Sequence, residues 1–271
     1  MRPLGSAVGP LHPALALAVT VVGVAAMFAG GSALAGVPGM SLRLQIAVAS
    51  ALLAVPGLLV LALRGKPIGP ALALERPPSR TLILSGLLAL ALWLASVGLM
   101  ELQSVVMPPP PEYLEAFRRL HEALRADGAP GLLASLIVIA ILPGVSEELL
   151  MRGILLPSLL PALGAPGAIL TTAAAFAAMH GDAYRFLFTF VVGLVLGAAR
   201  VRSGSLVPPI VAHATLNAVT FLVAPLVDDP SQTVYTPQPA LGLACLVVGS
   251  ALTLAVARAL RRFVDSPEKA T

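Results

Sequence analysis

Charge is scarce in this sequence. Asp, Glu, Lys and Arg together supply 11% of 271 residues, against about 25% in a soluble domain. With 58% hydrophobic residues and a mean hydropathy of +0.93, no soluble core of this size hides the apolar side chains. A soluble fold is therefore excluded. The net charge of +4 is spread over short loops, not gathered into a basic patch, which excludes nucleic acid as a partner. Cysteine is nearly absent: Cys245 stands alone in an apolar stretch and can form no internal disulfide. Aromatics are sparse at 4%, and the Ala, Leu, Gly and Pro bias fits a GC-rich bacterial genome. What remains is an all-α polytopic membrane protein in contact with membrane lipid.

A membrane span needs roughly 20 mostly apolar residues. Eight stretches qualify, near 13–35, 43–63, 80–100, 131–157, 163–180, 184–200, 205–225 and 238–258. The fifth and sixth are short and joined by His180-Gly181-Asp182-Ala183, so a tight hairpin or partial insertion is expected there. The first stretch, with Arg2 before it and Ala33-Leu34-Ala35-Gly36 after it, imitates a secretory signal. One basic residue and a long apolar run favour an uncleaved first helix instead. The chain divides into N-terminal helices and a loop (1–130), a polar-motif core (131–225), and a last helix with its tail (226–271).

Loop charges set orientation. With eight spans and both termini inside, eleven Lys and Arg fall on the inner side, Arg200 and Arg202 among them. Five fall outside, Arg43, Arg118, Arg119, Arg125 and Arg185, together with Asp228 and Asp229. This places both termini in the cytoplasm and, for a bacterial chain, the protein in the inner membrane. In the long loop after the third span, Pro108-Pro109-Pro110-Pro111 blocks a helix. Beyond it Tyr113, Phe117, Leu120 and Leu124 recur at helical spacing among charged residues. An amphipathic helix at the membrane surface, or a solvated connector, fits that pattern. His12 and His121 lie outside the spans and read as unremarkable polar residues.

The anomaly is Ser146-Glu147-Glu148-Leu149-Leu150-Met151-Arg152, set in an apolar run. Each charged residue at that depth costs roughly 2.5–3.5 kcal/mol on insertion scales. Glu148 and Arg152 are four residues apart, share a helix face and can pair. Glu147 is rotated by about 100° and is left free for chemistry. Pro143-Gly144 weakens the backbone one turn earlier. Two further patterns follow, Phe176-Ala177-Ala178-Met179-His180 and His213-Ala214-Thr215-Leu216-Asn217. A lone membrane histidine is ordinarily a packing or hydrogen-bonding residue. Two acids, an arginine, two histidines and an asparagine on three helices point instead to a functional site.

These three motifs, Glu147-Glu148-x-x-x-Arg152, Phe176-x-x-x-His180 and His213-x-x-x-Asn217, resemble the ordered motifs of the CAAX prenyl protease and bacteriocin-processing (CPBP, or Abi) family. The likeness covers about residues 131–225. It implies an intramembrane endopeptidase in which Glu147, with His180, activates water. His213 and Asn217 would stabilise the oxyanion, while Glu148 and Arg152 hold Glu147. Its substrate would be a membrane-associated peptide or protein, prenylated or bacteriocin-like. Alternatively, Glu147, His180 and His213 offer three ligands for a catalytic zinc with an open water position. No His-Glu-x-x-His motif is present, and a metal-free mechanism is preferred. Two other functions compete. A proton-coupled transporter uses similar clusters but lacks support from any repeated half. A non-catalytic scaffold or immunity protein on the same fold would retain the helices without the chemistry.

Overall fold

The computed structural model describes residues 10–125, 128–227 and 235–264. Arg2, Asp228, Asp229 and Lys269, which bear on the orientation, lie outside them. Helix makes up 84% of the structure and no strand forms among the described residues, so the class is all-α.

The first helices are set by their caps. α1 (Pro13–Ala35) starts with proline in its first turn and His12 Nδ1 accepting the Ala14 amide. α2 (Leu42–Leu63) starts at Ser41, whose hydroxyl accepts the Leu44 amide. α1 packs along α2, and its Ala16 and Val19 join the core. The short α3 (Ile68–Leu72) turns back into the bundle, so that Leu72 is fully buried. α4 (Ser79–Val106) lies along α11 (Pro239–Val264), touching it backbone to backbone at Gly98 and Gly249.

The next stretch is the centre of the fold. It runs as α6 (Gly128–Leu136), a π-helical stretch (Ile137–Ile141), α7 (Leu142–Glu148), a second π stretch (Leu149–Leu155) and α8 (Leu156–Ala178). Inside α8, Gly164 has φ 64° and ψ 175°, a backbone region that only glycine occupies readily. The segments expected at 131–157 and 163–180 therefore meet at one sharp bend, with helix continuing to Leu163 instead of opening into a loop. α9 (Phe186–Ser203) and α10 (Val207–Val227) complete the bundle. Among the described residues, six helical stretches are long and apolar enough to cross a membrane; the one over Gly128–Ala178 holds the Gly164 bend, and Val207–Val223 adds a shorter apolar helix. Each of the eight expected stretches is a helix or an arm of one.

The core gathers on the second π stretch. Leu150, Met151, Leu155, Phe176, Leu196 and Leu206 are each no more than 1% exposed and pack together. Outward faces carry residues such as Leu63, Ile83, Val106 and Leu254, as lipid contact requires.

α5 (Pro111–Arg125) is docked on the bundle and is not a solvated connector. His121 is buried between Phe117, 4.2 Å away centroid to centroid, and Phe221 of α10 at 5.3 Å. Arg125 donates to the carbonyl of Phe221 at 2.8 Å, and Arg43 of α2 to that of Leu124 and, through Nε, to the Ser135 hydroxyl. His121 is thus a packing residue of this joint, a role its position outside the spans did not indicate.

Candidate active site

Four helical pieces, α7, the second π stretch, α8 and α10, bring the motif residues together. Gly144 on α7 lies against α10: a Cβ there would stand 3.0 Å from the Ala214 nitrogen. That close approach sets the acids of α7 beside His213. On the other side, Phe176 of α8 is covered by the guanidinium of Arg152, whose Cζ is 4.6 Å from the ring centroid. The same ring meets His180 edge-on at 5.0 Å and His213 at 5.6 Å. One phenyl ring therefore touches an arginine and two imidazoles.

Glu148 and Arg152 are both fully buried. Arg152 Nη1 donates to Glu148 Oε1 at 2.7 Å, and Nη2 donates to the carbonyl of Gly193 on α9 at 3.0 Å. Glu148 Oε1 also accepts from His213 Nδ1 at 2.9 Å. A buried ion pair holds only when geometry and further hydrogen bonds offset its desolvation. Here the cation has a carboxylate, a carbonyl and an aromatic face.

Glu147 is placed differently. Its side chain is 13% exposed, and its Oε2 stands 3.7 Å from His213 Nε2. That separation is too long for a hydrogen bond. Its oxygen Oε2 has no hydrogen-bond partner among the described residues. His180, half-buried just past the end of α8, gives Nδ1 to the Phe176 carbonyl at 2.8 Å, and its Nε2 has no hydrogen-bond partner among the described residues. Glu147 and His213 both lie within its electrostatic reach. Asn217 is half-buried on α10, one turn beyond His213, and makes no side-chain hydrogen bond with a described residue.

The connection after His180 is held from α4 and α5. Asp182 Oδ1 accepts the amides of Tyr184 and Arg185, closing the turn. Gln103 donates to the Tyr184 carbonyl at 2.7 Å, Ser104 meets its hydroxyl at 2.7 Å, and Tyr113 rests on its ring at 5.2 Å. Burial pushes the Tyr113 phenol up to about 12, although Arg185 pulls it the other way, and burial likewise raises Tyr184.

The three-ligand set considered for zinc does not assemble. Among the described residues no group of three His, Cys, Asp or Glu side chains is spaced to hold a metal ion. His213 is turned by its bond to Glu148, and the His180 ring is held by Phe176.

Two participants carried no signal in the motifs. The Gly193 carbonyl is a backbone group, and α9 approaches closely enough to offer it because a Cβ on Gly193 would meet Ala173 Cα at 2.9 Å. Arg200, a loop charge by hydropathy alone, is 3% exposed inside α9 and donates through Nε to the Arg152 carbonyl at 3.2 Å. Its position near the end of an apolar helix disguised it as an orienting residue.

Residues 129–219 match the family described as Type II CAAX prenyl endopeptidase Rce1-like. This segment is an Rce1-like domain of the CPBP family. No curated protein and no solved structure matches the chain. The Rce1-like domain holds all three motifs, from Glu147 to Asn217, and supports a CAAX-type intramembrane endopeptidase in general terms. It begins at the start of α6 and ends within α10, so α1 to α5 and α11 are the frame around it.

Proposed function

We propose that the chain hydrolyses a peptide bond in a membrane-associated or lipidated peptide, with Glu147 as general base. The observation that carries this reading is the division between adjacent carboxylates inside the Rce1-like domain. Glu148 is fully buried and takes two hydrogen bonds on Oε1, its Oε2 being unpartnered among the described residues, whereas Glu147 is partly open and takes no hydrogen bond from a described residue. Glu147 takes a proton from water as the water oxygen adds to the scissile carbonyl carbon. It then returns that proton to the departing amine nitrogen as the C–N bond breaks. His180, with Nε2 unpartnered among the described residues, helps position the water. The oxyanion needs N–H donors aimed at it, which Asn217 Nδ2 and His213 Nε2 supply. Since His213 Nδ1 donates to Glu148, Nε2 donates only from a doubly protonated ring. The mechanism is glutamate-dependent, and the bias of Lys and Arg supports an inner-membrane protein with cytoplasmic termini.

The test uses the purified chain in lipid vesicles with a degenerate peptide pool and a farnesylated peptide ending in a CAAX box. Products are mapped by mass spectrometry for wild type, Glu147→Ala and His180→Ala. Cleavage lost in both variants supports the assignment; cleavage untouched by both sinks it.

A further inference from the structure

Arg200 is a buried cation with no carboxylate beside it. It is 3% exposed, makes no ion pair with any described residue, and its Nη1 has no hydrogen-bond partner among them. Burying an ion costs several kcal/mol unless something offsets it. Its hydrogen bond is from Nε to the main-chain carbonyl of Arg152.

The sequence explains why that carbonyl needs a side-chain donor. In an α-helix the Arg152 carbonyl takes the Leu156 amide, four residues on. Here the chain is in π register over Leu149–Leu155, and the Leu156 amide is committed to Met151 instead. In π register the donor for Arg152 is five residues on. That residue is Pro157, which has no N–H. The carbonyl is thus orphaned by a register shift and a proline acting together, deep in the bundle, where a missing partner is expensive.

We infer that Arg200 is a positioning residue of the proposed protease site: its Nε replaces the backbone donor that Pro157 lacks, and so fixes the π turn that aims Arg152 at Glu148. The π register turns the Arg152 side chain toward Glu148 Oε1, the Gly193 carbonyl and the Phe176 ring at once. Without the Arg200 donor, the turn recovers a partner only by slipping back toward α register, which rotates Arg152 away from these contacts. The inference rests on the reading that Glu148 and Arg152 hold Glu147 in place.

The test is a rescue. Arg200→Met removes the donor, and Pro157→Ala restores an N–H at the position where π register needs one. Cleavage of the peptide that wild type selects from the pool is measured for both single variants, the double variant, Arg200→Lys and Glu147→Gln. Arg200→Met is expected to lower kcat about 10- to 100-fold with KM little changed, the signature of misplaced catalytic geometry. Pro157→Ala alone is expected to stay close to wild type, and the double variant to recover most of the loss. Arg200→Lys, which keeps one donor, is expected to fall between. Should Arg200→Met fail to fold in detergent, recovery of its thermal midpoint by Pro157→Ala supports the inference equally, and no recovery overturns it. Wild-type kcat in Arg200→Met, or a loss that Pro157→Ala leaves unchanged, also overturns it. Full activity in Glu147→Gln would instead overturn the underlying protease reading, so the two failures are told apart.

Discussion

Glu148 and His213, sixty-five residues apart, are joined by a 2.9 Å hydrogen bond, and the same carboxylate oxygen takes Arg152 at 2.7 Å. One oxygen therefore ties α7, the second π stretch and α10 together. Its neighbour Glu147 has no such duty. Two side chains that repel each other in sequence are separated in function by which of them faces the cation.

That separation predicts opposite phenotypes for the same chemical change. Glu148→Gln removes the anion hydrogen-bonded to buried Arg152, and breaking a buried pair costs about 3–5 kcal/mol. It should lower the thermal midpoint in detergent and the yield of inserted protein. Glu147→Gln removes no strong contact and should melt with wild type while cleavage falls roughly 10²–10⁴-fold, as loss of a general base does. Matched melting curves and cleavage assays check both. Normal folding and cleavage in both variants contradicts the division of labour.

The two nitrogens of His213 are separable by isosteres. An asparagine amide places its nitrogen near the position of Nδ1, so His213→Asn keeps the bond to Glu148 and loses only the Nε2 donor. His213→Gln reaches toward the Nε2 position and abandons Glu148. Asparagine should preserve the melting temperature and lower kcat. Glutamine should lower the melting temperature by more, since a buried hydrogen bond to a charge contributes about 1.5–3 kcal/mol. Equal stability of the two variants would show that the Nδ1 contact contributes little.

The side-chain chemistry was legible in the sequence because charges inside an apolar run have few interpretations. The i,i+4 spacing of Glu148 and Arg152 fixed their pairing, and hydropathy located the helical stretches, although six and not eight of the described ones are long and apolar enough to span. The backbone was not legible. Nothing in the motifs announces that Pro157 and a π register leave the Arg152 carbonyl bare, so Arg200 read as a loop charge. Nor does hydropathy distinguish an ordinary loop from the Gly164 bend, since flanking residues are apolar either way. The spacing in α5 shows an amphipathic helix, but its docking through His121 and Arg125 depends on Phe221, about a hundred residues downstream in sequence.

The joint between α5 and the turn after His180 should reveal itself at high pH. Burial holds the Tyr113 phenol neutral to about 12, above the ordinary value of 10.0. In the unfolded chain the phenol ionises first, so stability is unaffected below about pH 10 and falls as pH rises from about 10 to about 12. Thermal midpoints measured between about pH 8 and about pH 11 should show this decline, and Tyr113→Phe should make it shallower. An unchanged slope in the variant would assign the decline to other groups.

Arg152 lies twelve residues before Gly164 and Phe176 twelve after it, and the guanidinium of the one covers the ring of the other. The bend therefore sets the register in which the two arms face each other. An alanine Cβ at Gly164 would meet no atom within 4 Å, so Gly164→Ala changes backbone preference and nothing else nearby. Holding alanine at φ 64° and ψ 175° costs of order 1–3 kcal/mol. If the arms slip to relieve that strain, Arg152 and Phe176 move apart and cleavage falls along with stability. Gly39, also at positive φ with open space around it, joins α1 to α2 and aligns no site residue. Gly39→Ala should accordingly lose stability while keeping kcat. Equal kcat losses in the two variants would mean that the register set at Gly164 has no special bearing on the site.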